Sequence, residues 1–222
     1  MEPMDLFDVI GPIMVGPSSS HTAGAIRLGR LARAAAGFVP AHAIIHLHGS
    51  FADTGRGHGT DRGLVAGLLG WATDDPRLHD VGGHARQAGL AVEFVKTDLG
   101  RVHPNTARFV LEGPAGEQCE AQGSSVGGGA VVLTELDGWP VELQGLYDTL
   151  LVSHRDRPGA LAAITGRLAS FGMNIATMRV ARRTRGGEAM ATLELDHSPS
   201  DKVRRELEIL TEVLWTRRID RL

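Results

Sequence analysis

The amino-acid sequence predicts an α+β protein of two domains, a mixed α/β domain over residues 1–147 and a smaller domain over residues 148–222. Two changes in composition place the boundary: 24 of the 29 glycines precede Asp148, and the formal charge is −6 before Asp148 and +3 from it onwards. The order of patterns indicates the fold class. Helices and strands alternate in the first part before a run of strands, whereas the second part has the order β-α-β-β-α-β.

The first domain is predicted to begin with a short helix at Leu6–Ile10 and a longer helix at Ala23–Ala36, which ends at Gly37. A buried strand at Ala43–Leu47 follows, and then a helix that carries Leu64, Val65, Leu68 and Leu69. Further strands are predicted at Ala91–Val95, Ala107–Leu111, Gln118–Gln122 and Val131–Leu136.

The second domain is predicted to be a ferredoxin-like β-α-β-β-α-β unit. Its strands are expected at Thr149–Val152, Ile175–Val180, Ala189–Leu195 and Val213–Ile219. Apolar residues three or four positions apart form one face of each helix: Leu161, Ile164, Leu168 and Phe171 in the first, and Val203, Leu207 and Leu210 in the second.

Composition excludes several classes of protein. Hydrophobic residues are 42% and charged residues 22%, which is typical of a globular chain, and no apolar run approaches the roughly 20 residues of a membrane span. The first residues are acidic where a signal peptide would be basic, so a cytoplasmic protein is expected. A net charge of −3 argues against nucleic acid as the main partner. The single cysteine, Cys119, excludes an internal disulfide and a cluster held by this chain's thiolates alone.

Two predicted loops of small, flexible residues each contain a histidine and lead directly into a predicted helix. They are Ser18-Ser19-Ser20-His21-Thr22 and Gly55-Arg56-Gly57-His58-Gly59-Thr60. The start of a helix carries unpaired N–H groups and a partial positive charge, so it suits a carboxylate or a phosphate. If both segments face one cleft, the site would hold a small anionic, hydroxyl-bearing substrate between two histidines.

Each of these residues also has a simpler interpretation. A serine before a helix is most often its N-cap, and a histidine in a glycine-rich loop is most often a surface residue. Three serines exceed what one cap needs, however, and the glycines around His58 bring no visible benefit to folding. The glycine pattern fits neither nucleotide-binding fingerprint. His42, His46 and His48 are expected on one strand face, where structural or substrate-facing roles are favoured over a zinc site.

The segments Arg155-Asp156-Arg157-Pro158-Gly159-Ala160-Leu161 and Gly172-Met173-Asn174-Ile175 resemble the ACT regulatory domain. The resemblance implies that an amino-acid effector binds at Asp156, Pro158, Gly159 and Asn174, commonly across an interface between two copies of the domain. ACT-like domains also serve only for self-association, and both alternatives stay open.

Four motifs in the first domain resemble the beta subunit of the bacterial iron–sulfur-dependent L-serine dehydratase (L-serine ammonia-lyase). They are Asp5-Leu6-Phe7 with Ile10-Gly11-Pro12, Gly16-Pro17 with the serine segment, His48-Gly49-Ser50-Phe51, and Thr54 to Asp61. With the ACT-like region the resemblance covers essentially the whole chain. That family's first domain is similar to the allosteric-substrate-binding domain of some phosphoglycerate dehydrogenases.

The resemblance implies conversion of L-serine to pyruvate and ammonia with a [4Fe-4S] cluster, which is held by three cysteines of an alpha subunit and not by this chain. It suggests His58 as the base or substrate-orienting imidazole. Ser18, Ser20, His21 and Thr22 would bind the carboxylate, and His48, Ser50, Thr54 and Asp61 would surround them. No metal ligand is expected on this chain.

Two other classes of function stay open. The chain could be a non-catalytic module that senses serine or phosphate, or a scaffold for oligomerisation whose loops only cap helices.

Overall fold

The structure, a computed structural model, describes residues 13–222 apart from the side chain of Arg56. The helix predicted at Leu6–Ile10 lies outside the described residues. Contacts divide the described chain into two compact units. The first runs to Gly138 and includes Glu142–Gln144, and the second comprises Trp139–Val141 and Gly145–Arg221. The domain boundary at residue 147 stays a prediction.

The region from residue 19 to residue 143 contains a six-stranded sheet and the helices that precede or interrupt it. Its helices are a π-helical turn Ser19–Ala23, α1 Gly24–Ala36, α2 Gly49–His58, α3 Thr60–Leu68, a 3-10 turn Pro76–Asp80 and α4 Val81–Gln87. Its strands are β1 His42–Leu47, β2 Ala91–Lys96, β3 Thr106–Glu112, β4 Gln118–Gly127, β5 Ala130–Leu136 and β6 Trp139–Leu143. The strand order is β2-β1-β3-β4-β5-β6, with β1 and β2 parallel and the pairs from β1 to β5 along the sheet antiparallel.

The core of the first unit lies between the sheet and α1. Along β1 the buried residues Ala43, Ile45 and Leu47 alternate with half-buried ones, as expected for a strand with one face toward the core. Phe109 on β3 and Leu28 on α1 are fully buried in the same layer. The alternation therefore fixes which face of the sheet the helices cover.

Two elements between residues 19 and 143 were not predicted. The residues of α2 were expected to be loop, because Gly49, Gly55 and Gly57 are poor helix formers and only Phe51 provides a fully buried apolar anchor. Strand β6 begins at Trp139, between Gly138 and Pro140, and glycine and proline so close together are typical of a turn. Pairing with β5 at the edge of the sheet accommodates the proline, because an edge strand does not need every N–H group.

The second unit has the predicted β-α-β-β-α-β order. It consists of β7 Asp148–Arg155, α5 Ala160–Ser170, β8 Ile175–Arg182, β9 Glu188–Leu195, α6 Asp201–Glu208 and β10 Val213–Ile219. The sheet order is β10-β7-β9-β8, entirely antiparallel. Leu150, Ile164, Leu193 and Leu207 form its buried core with the predicted helix faces. Within residues 13–222, no helix is long and apolar enough to cross a membrane.

Candidate functional site

The two histidine-containing segments meet because α1 and α3 pack side by side in the same direction. The first turn of α3 lies on the first turn of α1, where a Cβ added to Gly63 would lie 2.9 Å from Ala25 Cβ. One turn further, a Cβ added to Gly67 would lie 2.7 Å from Gly29 Cα. The absence of side chains lets the two backbones approach closely. Residues just before α1 therefore contact residues just before α3.

Ser18 caps the π-helical turn that leads into α1. Its Oγ accepts a hydrogen bond from the main-chain N–H of His21 at 3.1 Å, and its carbonyl oxygen accepts one from the N–H of Thr22 at 2.9 Å. The capping interpretation therefore holds for Ser18. Ser20 is left to contact His21, and short π-helical turns of this kind are frequent at functional sites.

His21 is surrounded by three hydroxyl groups. Its Nδ1 lies 3.0 Å from Ser20 Oγ, and its Nε2 lies 3.0 Å from Ser50 Oγ and 3.2 Å from Thr54 Oγ1. The Thr54 hydroxyl donates its hydrogen to the carbonyl of Ser50 at 2.9 Å, so toward His21 it can only accept. This network assigns the proton of neutral His21 to Nε2 and makes Nδ1 the acceptor for Ser20.

Burial, and then the neighbouring His58, lower the pKa of His21. A positive charge on His21 would lose contact with water and would face the second imidazole. Phe51, which meets the ring edge-on with centroids 5.5 Å apart, supplies apolar surroundings. His21 is therefore held neutral as a hydrogen-bonding group.

His58 lies at the last position of α2 and its side chain is exposed. Its Nδ1 lies 3.1 Å from the carbonyl oxygen of Thr54, and a carbonyl can only accept, so Nδ1 carries the hydrogen of the neutral ring. The other nitrogen, Nε2, then keeps its lone pair. The rings of His58 and His21 are 5.3 Å apart between centroids, tilted by 47°. His58 is placed to accept a proton beside the hydroxyl cluster.

The segment around His58 was expected to be a flexible loop, and this was wrong. Gly55 to His58 are helical, and the break falls at Gly59, which has a φ of 75° and separates α2 from α3. A left-handed residue between two helices is where glycine is favoured, so this glycine does benefit folding. His58 thus belongs to the end of one helix rather than to the start of the next.

A hollow of about 560 Å³ opens beside His58. Thr54, His58 and Asp61 from the predicted site line it, together with Asp53, Lys96 and Phe94. Lys96 Nζ lies 2.6 Å from Asp53 Oδ1, and both side chains are largely exposed. Sequence reasoning missed these last three residues. Lys96 and Phe94 reach the site only because β2 pairs with β1, which no local pattern signals.

The remaining predicted residues of the first unit occupy different surroundings. Asp61 accepts a hydrogen bond from the N–H of Arg62 at 2.8 Å and borders the hollow. Thr22 is buried, and its hydroxyl donates to the carbonyl of His58 at 2.7 Å. His48 Nδ1 accepts a hydrogen bond from the N–H of Leu99 at 3.1 Å, so its contact is with the loop after β2.

The three histidines expected on one strand face are divided. His42 and His46 share the half-buried face of β1, whereas His48 lies beyond the end of the strand, at the N-cap of α2. His46 Nδ1 lies 2.9 Å from Thr97 Oγ1. Among residues 13–222, no three His, Cys, Asp or Glu side chains are grouped as metal ligands would be.

In the second unit, the predicted effector residues lie at the two ends of α5. Asp156 accepts hydrogen bonds from the N–H of Gly186 at 3.0 Å and from Arg182 at 3.3 Å. The Gly186 N–H, and then the Arg182 guanidinium, hold the pKa of Asp156 below its usual value.

Pro158 is exposed, and Gly159 is the left-handed N-cap of α5, with a φ of 88°. Asn174 follows the other end of the helix and donates to Asp196 at 2.8 Å. The 11 residues of α5 rise by about 16 Å, so one copy of the domain does not bring Asn174 to the other three residues.

Two family models match the chain. One described as "Serine dehydratase beta chain" matches residues 4–89, and one described as "ACT domain" matches residues 149–212. The first match contains both histidine-containing segments, and the second covers most of the β-α-β-β-α-β unit.

Several curated proteins are similar to this chain. The "Probable L-serine dehydratase, beta chain" of Bacillus subtilis (strain 168) is 41% identical over 219 residues, which are 99% of each chain. The "L-serine dehydratase, beta chain" of Peptoniphilus asaccharolyticus is 39% identical over 191 residues, 86% of each chain. A "D-3-phosphoglycerate dehydrogenase" of Synechocystis is 30% identical over 123 residues, 55% of this chain and 22% of that protein.

Proposed function

Because the chain belongs to the family of L-serine dehydratase beta chains, we propose that it forms, with an alpha chain, an enzyme that converts L-serine to pyruvate and ammonia. The observation that carries the proposal is the contact between the two predicted segments: the rings of His21 and His58 are 5.3 Å apart, beside Ser20, Ser50 and Thr54. These groups suit a small, polar, anionic substrate.

Ser18 and Ser20 bind the carboxylate of serine in this proposal. They flank the start of the π-helical turn that runs into α1, and the first N–H groups of a helix attract an anion. Neutral His21 holds Ser20, Ser50 and Thr54 in one arrangement without adding a charge of its own. His48 lies at the N-cap of α2, and Asp61, which borders the hollow beside His58, supplies a carboxylate for the substrate's ammonium group.

His58 removes the α-proton. Its free Nε2 is the acceptor, and imidazoles are suited to general base catalysis near neutral pH. Loss of the α-proton and departure of the β-hydroxyl, which leaves as water once protonated, give aminoacrylate. Its imine tautomer takes up water and releases ammonia, leaving pyruvate.

A [4Fe-4S] cluster, which in this proposal assists departure of the hydroxyl, does not fit the donor groups of this chain. Cys119 is the chain's one cysteine, it lies on β4, and it is 3% exposed. Among residues 13 to 222, no three His, Cys, Asp or Glu side chains lie together as the ligands of a metal site would. We therefore assign the cluster to the cysteines of the alpha chain.

In the proposed enzyme, the ACT domain binds an effector or associates with a second copy of itself. Asp156, Pro158 and Gly159 lie at the start of α5, and Asn174 lies beyond its end. An effector that touches all four therefore requires two copies of the domain, which favours binding across a symmetric interface.

The test is pyruvate formation from L-serine by this chain co-expressed anaerobically with an alpha chain. We expect His58→Ala to lower the turnover rate by roughly 10²- to 10⁴-fold, the usual contribution of a general base. His197→Ala, which changes an exposed histidine of the second unit, is the matched control.

An unchanged turnover rate in an assembled His58→Ala enzyme would exclude His58 as the general base. If the parent complex binds serine without turnover, the chain is the non-catalytic sensor that the sequence also allowed.

A further inference from the structure

Thr22 joins the two halves of the candidate site. Its side chain is 5% exposed, and its hydroxyl donates to the carbonyl oxygen of His58 at 2.7 Å. A hydroxyl has one hydrogen to donate. While this bond exists, Thr22 has no hydrogen to offer a substrate carboxylate, which is the role suggested by its place in the serine segment.

The acceptor of this bond is a carbonyl at the end of a helix. His58 is the last residue of α2, and the final carbonyls of a helix have no partner within it. The Thr22 hydroxyl therefore supplies a partner from outside α2. The carbonyl and the imidazole of His58 share one Cα, so a bond that fixes the carbonyl also restricts the ring.

The surroundings of Thr22 leave its side chain little room to move. A Cβ atom added to Gly16 would lie 2.6 Å from Thr22 Cγ2, and one added to Gly59 would lie 3.5 Å from Thr22 Oγ1. A Cβ added to Gly63 would lie 2.9 Å from the Thr22 carbonyl oxygen. Thr22 is also the residue after His21 in the chain, so the position of Thr22 affects the positions of both His21 and His58.

We propose that Thr22 is a positioning residue, whose hydroxyl holds the main chain of His58 at the distance from His21 that proton removal requires. The inference rests on the proposed function for its catalytic consequence. A displacement of about 1 Å at a reacting group can cost on the order of 100-fold in rate. A positioning role lowers kcat, whereas a carboxylate-binding role would raise KM.

The first experiment compares Thr22→Val, Thr22→Ala and Thr22→Ser in the assembled enzyme. Valine keeps the shape and removes the hydroxyl, alanine removes both, and serine keeps the hydroxyl. We expect the first two to lower kcat by about 10- to 100-fold with KM within about 2-fold, and Thr22→Ser to restore most of kcat. Either hydroxyl-free variant suffices if the other fails to fold.

The control is Thr73→Val. The Thr73 hydroxyl also donates to a carbonyl oxygen of a distant segment, that of Ile13, at the same 2.7 Å, and this bond involves neither histidine. We expect its kcat and KM to match those of the parent. A raised KM with unchanged kcat in Thr22→Val, or a Thr22→Ser variant as slow as Thr22→Val, would overturn the proposal.

A second measurement does not depend on activity. In NMR spectra of the full chain, Thr22→Val is expected to shift the ring signals of His58 and to weaken the proton–proton contact between its ring and that of His21, while Thr73→Val leaves both unchanged. Unchanged His58 signals in Thr22→Val refute the positioning role. If the parent enzyme produces no pyruvate, the proposed function fails, and this spectrum still decides the role of Thr22.

Discussion

Replacement of Gly67 by alanine is expected to destabilise the first unit by forcing α1 and α3 apart. The added Cβ would lie 2.2 Å from the carbonyl oxygen of Ile26 and 2.7 Å from the main-chain nitrogen of Arg30. Ordinary contact begins near 3.4 Å, so the helices must separate locally by about 1 Å. Backbone atoms cannot rotate away as a side chain can.

Overpacking of this kind costs about 1–3 kcal/mol. Alanine also has a higher helix propensity than glycine, by about 1 kcal/mol. Because the new Cβ meets backbone at several points, we take the upper end of that range, and we expect the free energy of unfolding to fall by about 2 kcal/mol after that gain. Since the same packing brings Thr22 to His58, turnover should fall as well.

Gly57→Ala is the matched control, because it makes the same substitution in a helix of the same unit with nothing within 4 Å of the new Cβ. It should raise the free energy of unfolding by about 0.5–1 kcal/mol. Urea unfolding of the full chain, followed by circular dichroism and tryptophan fluorescence, measures both variants. Because the chain has two units, unfolding can show two transitions. The transition whose urea midpoint is raised by Gly57→Ala is that of the first unit. A Gly67→Ala variant as stable as Gly57→Ala would refute the packing argument.

Two predictions concern pH. Burial, and then the neighbouring His58, lower the pKa of folded His21, so the contribution of His21 to stability is complete above the unfolded pKa of about 6.5 and is lost as the pH falls through the lowered value. The stability of the parent should therefore fall more between pH 7.5 and pH 5.5 than the stability of His21→Gln. Equal losses of stability in the two proteins would contradict this prediction. Hydrogen bonds from the Arg77 side chain, foremost among the causes, lower the pKa of Asp75 to about 2, and Asp75 also caps the 3-10 turn after it. Asp75→Asn should lower the free energy of unfolding by on the order of 1 kcal/mol near pH 7, and this difference should shrink as the pH falls from 3.8 through about 2. Asp74→Asn, which changes the exposed neighbour, should lower the free energy of unfolding little. Urea unfolding at each pH compares the two variants, and a loss for Asp75→Asn that stays constant at low pH would count against the ion pair.

The second unit was predicted almost completely because its signals are local. Its strands are short apolar runs, and its helices repeat apolar residues at three and four positions, so each element carries its own pattern. The first unit was predicted less well. Its α2 has little apolar periodicity, and β6 begins in a segment that resembles a linker, so only their packing against neighbours reveals them.

The candidate site shows the same division. Ser18, Ser20, His21 and His58 were found from the sequence because small residues beside histidines form unusual local motifs. Lys96 and Phe94 were missed because they join the hollow through the pairing of β2 with β1. The opposite error occurred at Thr22, whose motif suggested a ligand contact and whose hydroxyl is bonded to His58.

The sequence by itself determined the family, the two types of fold and the residue types available for chemistry, since these depend on composition, periodicity and motifs along the chain. Only the tertiary structure decided which of those residues meet. Contacts between distant residues depend on how closely two helices approach, and here the approach of α1 to α3 depends on glycines that carry no chemical signal of their own. That packing brings His21 to His58 and turns two separate motifs into one candidate site.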